Sequence, residues 1–123
     1  MSSHVPAGWP ADVRPPDADD WDVQAVSYLL DCCAPDFRRH PVLSRHPVVL
    51  ATFAEHCVRG EQRAAADAVG VIRSELEGQV GPEVVAAAVD VWQAELARLA
   101  RVEREVGLLQ RALRGERFVP RMS

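Results

Sequence analysis

The sequence predicts an all-α fold built on a long antiparallel helical hairpin, and three observations lead to this prediction. First, residues 48–77 and 83–116 are two long segments that contain no proline. Second, the residues between them, Gly-Gln-Val-Gly-Pro at 78–82, have the composition of a tight turn between helices. Third, apolar side chains in the second segment recur at seven-residue spacing, as they do in coiled coils.

The turn residues predict where the two long helices end and begin. Gly78 suits the left-handed backbone conformation that often follows a helix, since it has no Cβ. Gly81 suits the capping position before the next helix, and Pro82 suits the first helical position. We therefore expect helices at about 45–77 and 82–114, each roughly 45 Å long.

The seven-residue spacing predicts the seam along which the two helices pack. It runs through Val85, Trp92, Leu99, Val106 and Leu113, with Val89 and Leu96 at the alternate position. Folding the chain back at the turn sets Ala65 and Ala68 opposite the bulky Trp92 and Leu96. Small residues facing large ones allow two helices to pack closely.

Composition divides the chain into an arm, one helical domain and a tail. Residues 1–19 are rich in proline and aspartate, which predicts a flexible arm that is mobile or extended. Residues 20–117 are expected to form a single helical domain, because a chain of 123 residues suits one domain. Residues 118–123 form a short C-terminal tail.

A short helix is expected to precede the hairpin and to pack across its base, the end opposite the turn. It should span about residues 20–33, with Asp19 and Asp20 supplying the N-terminal cap. Pro41 and Pro47 each suit the first turn of a helix, which predicts a single helical turn followed by the start of the long helix.

The apolar stripe of the last helix is wider than a two-helix seam requires. Glu103 and Gln110 interrupt the seam, whereas Val102 and Leu109 extend the apolar surface to its flank. Either the N-terminal helix covers this flank, giving a three-helix monomer, or a second chain does. We favour a homodimer, so that dimerisation completes the fold.

Two aromatic residues outside the helices join Val102 and Leu109 as candidates for a partner or dimer surface. Trp9 lies in the arm and could dock on a partner or cover the domain's own surface. Phe118 begins the tail, which either folds back onto the domain or serves as a short docking peptide.

Neither catalysis nor a metal site is predicted. No nucleophile motif or phosphate-binding glycine loop is present in the sequence. Cys32 and Cys33 are adjacent and point in different directions on a helix, which makes joint ligation of one ion unfavourable. Together with Cys57 they are interpreted as small buried hydrophobic residues, and His40, His46 and His56 do not complete a zinc pattern. We expect no cofactor.

Charge is distributed unevenly along the chain. All 14 basic residues are arginines, a bias typical of GC-rich genomes, so arginine alone is weak evidence of function. Acidic residues cluster at the turn and basic ones near the base of the hairpin. Four arginines of the last helix form a candidate anion-binding face: Arg101, Arg104, Arg111 and Arg114.

These observations favour a non-enzymatic helical module for protein–protein interaction, an adaptor or regulator that associates with itself and with another protein. The alternative is a small nucleic-acid- or nucleotide-binding regulator that uses the arginine face. A net charge of −4 disfavours general nucleic-acid binding. No membrane-spanning segment is predicted, and three cysteines do not form a disulfide framework, so we expect a cytoplasmic protein.

Overall fold

The computed structural model describes residues 5–118, and within this range every regular element is helical. Residues 1–4 of the predicted arm and 119–123 of the tail lie outside the described range. The helices, in chain order, are α1 (Trp21–Asp31), a 3₁₀ helix (Pro35–Arg39), α2 (Pro41–Arg45), α3 (Pro47–Leu76) and α4 (Pro82–Leu113).

The hairpin forms as the sequence predicts, because α3 and α4 pack against each other along their length. Gly78 has a φ of 76°, the left-handed conformation expected there. Gly81 is the N-terminal cap of α4, and its carbonyl oxygen accepts hydrogen bonds from the amides of Val84 and Val85. Pro82 occupies the first turn, where its missing N–H costs nothing.

The short helices begin at the predicted prolines, but α1 begins differently from the prediction. Pro41 and Pro47 start α2 and α3, respectively. Asp20 precedes α1 with a φ of 63°, and neither it nor Asp19 makes a side-chain capping bond. Asp20 therefore occupies the capping position, as predicted, but its carbonyl and not its carboxylate accepts the Gln24 amide.

Helix α1 lies on the base of the hairpin and runs parallel to α3. Trp21, at its start, lies beside Ala112 and Phe118 at the base. The Tyr28 hydroxyl donates a hydrogen bond to Glu105 of α4. Cys32, just beyond the helix, lies beside Arg98, near the middle of α4. The base is thus a three-helix bundle with a single core.

Residues 5–19 pack against this bundle, in contrast to the mobile or extended arm that their composition predicts. Val13 is only 4 % exposed and belongs to the core. The Trp9 indole donates to the Val13 carbonyl at 2.9 Å, and the Arg14 amide donates to the Gln24 side chain at 2.7 Å. These intramolecular contacts hold the segment against the bundle although it forms no helix.

The flank of α4 at the base is covered by the chain itself. Val102 is 8 % exposed and Leu109 is fully buried, in the same core as Leu29 of α1. Within residues 5–118, α1 and the arm cover this flank, since Leu29 and Val13 belong to the same core. Val102 and Leu109 are therefore core residues and are not open to a partner.

Candidate interaction surface

The hairpin is much longer than the helix that covers it. Helix α1 has 11 residues, whereas α3 and α4 have 30 and 32. At 1.5 Å per residue, α1 covers about 16 Å of a hairpin about 45 Å long. Beyond Glu61 and Arg98, α3 and α4 continue alone for roughly 25 Å to the turn, which we call the tip.

One side of this two-helix part is a continuous apolar surface, the distal face. It consists of Ala64, Ala68 and Val71 of α3 and Val84, Ala88 and Val91 of α4. Both rows follow the four- and three-residue steps that keep side chains on one side of a helix. The valines are the exposed part: Val71 is 38 %, Val84 48 % and Val91 70 % exposed.

The two rows lie on the same side of the hairpin as α1. Glu61 continues the α3 row by one step, and Arg98 continues the α4 row. Their side chains form an ion pair at 4.0 Å, which places the two rows side by side. Because Cys32 borders the same two residues, α1 ends where the distal face begins.

Charged residues lie at both ends of the distal face. At its inner edge Arg98 pairs with Glu95 as well as Glu61, and the hydrogen bond from Arg98 lowers the pKa of the Glu95 carboxyl. At the tip lie Glu77 and Glu83. The exposed Glu75 continues the α3 row four residues beyond Val71. An apolar centre within a polar rim is the usual anatomy of a protein–protein interface.

The side of the same two helices that faces away from the distal face, which we call the opposite flank, carries smaller and more polar side chains. On α4 it carries the exposed Ala86, Asp90 and Gln93. Each of these lies only a few residues from a distal-face residue, yet the 100° turn per residue places it on the other side. This flank provides matched control positions for the distal face.

The two aromatic residues predicted for a partner surface meet each other at the base. The rings of Trp9 and Phe118 are 6.0 Å apart in an edge-to-face arrangement, and Trp9 also packs on Trp21 at 6.4 Å. The Arg111 guanidinium lies 5.3 Å from the Phe118 ring centre. The chain thus folds back at Phe118, and Val119, the next apolar residue, lies outside the described range.

The four predicted anion-binding arginines are exposed, but they do not form one concentrated site. Arg111 makes two hydrogen bonds to Glu116, at 2.6 and 2.7 Å. Arg101 lies 4.0 Å from Glu105 on the next turn of α4. Arg104 and Arg114 have no ion pair within residues 5–118. Two of the four are thus engaged by neighbouring carboxylates.

The polar residues in the α4 seam pair across the hairpin. Glu103 forms an ion pair with Arg59 of α3, with 3.6 Å between the Arg59 Nε and Glu103 Oε2 atoms. Gln110 sits between Glu55 and Arg114, and the amide orientation that satisfies both donates to Glu55 and accepts from Arg114 at 3.2 Å. The interruptions of the seam therefore have partners within the monomer.

The cysteines lie where α1 meets α3 and do not resemble a reactive site. Burial raises the pKa of the Cys32 thiol to about 11, with a further contribution from Asp31. Burial and the adjacent Cys57 thiol raise the pKa of Cys33 to about 12. Thiols with such pKa values are poor nucleophiles at neutral pH. Within residues 5–118, no three His, Cys, Asp or Glu side chains are arranged to hold a metal ion.

Comparison with protein-family models, with curated proteins and with solved structures finds no match for this chain. No helix within residues 5–118 is both long and apolar enough to cross a membrane. The geometry of the distal face therefore carries the functional argument.

Sequence reasoning placed the candidate partner surface at the base, where the structure buries Val102 and Leu109, and did not single out the exposed apolar residues of the distal face. The signal that could have revealed these residues was the difference in length between the predicted helices. A helix predicted at 20–33 cannot cover two helices of about 30 residues along their full length, so apolar residues between its end and the tip, such as Val84 and Val91, are left uncovered by it.

Proposed function

We propose that this protein is a non-enzymatic helical interaction module that associates with itself through the distal face. The observation that carries the proposal is the uncovered apolar surface beyond α1, in which Val71, Val84 and Val91 are 38 %, 48 % and 70 % exposed. Exposed apolar surfaces rimmed by polar residues mark interaction sites in soluble proteins.

The size of the distal face supports this proposal. It is roughly 25 Å long and about 20 Å wide, since a helix with its side chains is about 10 Å across. Two copies in contact would cover roughly 1,000 Å² in projection, and the relief of the side chains adds to the accessible area. That value reaches the range of specific protein–protein interfaces.

The test compares two double variants with equal changes of charge. In V84E/V91E the new carboxylates lie in the distal face, whereas in A86E/Q93E they lie on the opposite flank. We expect sedimentation equilibrium to give twice 13.5 kDa for the wild type and for A86E/Q93E, and 13.5 kDa for V84E/V91E. Burying a carboxylate in an apolar interface carries a large desolvation cost.

Circular dichroism provides the control for folding. Because Val84 and Val91 are exposed in the monomer, V84E/V91E should keep its helical signal. A wild-type protein that sediments as a monomer at high micromolar concentration would overturn the proposal. So would a V84E/V91E variant that stays dimeric.

Anion binding by the arginine face is the second proposal and has less support. Arg104 and Arg114 have no ion pair in the described part of the chain, but Arg101 and Arg111 have nearby carboxylates. If this proposal is correct, the wild type binds a short duplex DNA at low salt, and the variant R104E/R114E does not. Absence of binding by the wild type at low salt would reject it.

A further inference from the structure

We infer that the partner on the distal face is a second copy in antiparallel orientation, with the tip of each hairpin against the end of α1 of the other. This inference rests on the proposed self-association and adds its geometry. The central part of the dimer would be a four-helix bundle, formed by the outer halves of two hairpins.

The height of α1 above the distal face favours the antiparallel orientation. Helix α1 lies on the same side of the hairpin as the distal face, and a packed helix adds a layer about 10 Å thick. In a parallel dimer the two α1 helices would meet first and would hold the distal faces about 20 Å apart. In an antiparallel dimer the outer half of each hairpin fills the space beyond the end of the partner's α1, so that the two distal faces can touch.

The exposed parts of two reversed hairpins also match in length. The exposed part of the hairpin runs about 25 Å from Arg98 to the tip. A second copy of equal length, placed in the reverse direction, fills this part and ends where the partner's α1 ends. The surface is therefore complementary to itself, as a two-fold interface requires.

The alternation of side-chain size favours the same orientation. A two-fold axis that reverses one copy sets α3 on the partner's α3 and α4 on the partner's α4. At about 1.5 Å per residue, Val71 then lies between the levels of the partner's Ala64 and Ala68. Val91 lies near the axis, between the levels of the partner's Ala88 and Val91. The large Val71 thus faces small residues, which allows the two α3 helices to approach closely.

The distribution of charge also favours this orientation. Glu75, Glu77 and Glu83 lie around the tip, and a parallel dimer would bring two such acidic clusters together. Reversal separates the two tips by about the length of the distal face, roughly 25 Å. Each tip then lies beside the partner's inner edge, where Arg98 is paired with Glu61 and Glu95. The two acidic clusters are kept apart, which the parallel arrangement does not allow.

Photo-crosslinking of the full chain tests the orientation. The substitution Gln79→p-benzoylphenylalanine places the probe at the tip, and Gln93→p-benzoylphenylalanine places it on the opposite flank as the control. Mixing ¹⁴N- and ¹⁵N-labelled protein separates bonds between copies from bonds within one copy. Cleavage after glutamate then gives distinct peptides for the tip, 78–83, and for the middle of each long helix, 56–61 and 96–103.

We expect the tip probe to link peptide 78–83 of one copy to 56–61 or 96–103 of the other, and the control probe to give no bond between copies. Three results in a dimeric sample would overturn the antiparallel geometry. These are tip-to-tip bonds, no bond between copies from the tip probe, and bonds between copies from the control. Each would leave self-association standing, whereas a monomeric sample would overturn both proposals.

Discussion

Three ionisable side chains at the junction of α1 with the hairpin hold their protons more tightly than they would in water. Burial raises the pKa of Cys32 to about 11, and burial followed by contact with Cys57 raises the pKa of Cys33 to about 12. Burial and the hydrogen bond to Glu105 raise the pKa of Tyr28 above its ordinary value. These groups are therefore kept neutral in the folded protein, and folding is coupled to their protonation.

This coupling predicts a loss of stability in alkaline solution. Because the folded pKa of Cys33 exceeds the unfolded value of 9.0, the stabilisation is complete below pH 9 and falls as the pH rises towards 12. We expect the Tm to be constant between pH 7 and 8.5 and to decrease from pH 9 to 10.5. The measurement is thermal unfolding followed by circular dichroism.

The matched variants are Cys33→Ala and Tyr28→Phe, which remove the titrating groups. The decrease in Tm between pH 9 and 10.5 should be smaller in each variant than in the wild type. An equal decrease in all three proteins would contradict the assignment of the alkaline transition to this junction.

At the scale of the elements, alanine substitutions at Gly78 and Gly70 should have opposite effects on stability, although a Cβ atom would meet no neighbour at either position. Gly78 lies in the turn two residues after the end of α3 and has a φ of 76°, whereas Gly70 lies within α3. A Cβ at either position would have no heavy atom within 4 Å beyond its local neighbours. Any difference between alanine substitutions at the two sites therefore reports backbone conformation alone.

We expect Gly78→Ala to lower the free energy of unfolding by about 1 to 2 kcal/mol, because an alanine in the left-handed conformation is strained. We expect Gly70→Ala to raise it by about 0.5 to 1 kcal/mol, because alanine favours the helix. Urea unfolding measures both values. A stabilising Gly78→Ala would show that the turn does not need the left-handed conformation.

At the scale of the whole molecule, the two ends of the hairpin differ in both packing and charge. The base has three helices, a core and an arm packed against it, whereas the outer half has two helices and an exposed apolar side. The outer half buries less apolar surface than the base when the chain is alone. Association would therefore stabilise the outer half most.

This asymmetry predicts a thermal stability that depends on protein concentration. Because binding of a second copy favours the folded state by mass action, the Tm of the wild type should rise over a hundredfold increase in concentration. The Tm of V84E/V91E should stay constant, while A86E/Q93E should follow the wild type. Differential scanning calorimetry at the two concentrations measures this, and a constant wild-type Tm would argue against the dimer.

The sequence by itself determined the hairpin. The turn residues from Gly78 to Pro82 and the seven-residue spacing along α4 are local signals, because backbone conformation and helical periodicity depend on neighbouring residues. For this reason the predicted ends of α4, at about 82 and 114, differ little from the observed Pro82–Leu113.

The tertiary structure alone decided what covers each apolar surface. Val102 and Leu109 are apolar in the sequence whether α1 or a second chain covers them, and only the packing of α1 shows that they are core residues. The arm is similar: its composition predicts a mobile or extended segment without a helix, and residues 5–19 form no helix, but burial of Val13 packs them against the bundle. Periodicity specifies which side of a helix is apolar, whereas the segment that covers it depends on contacts between residues distant in the chain.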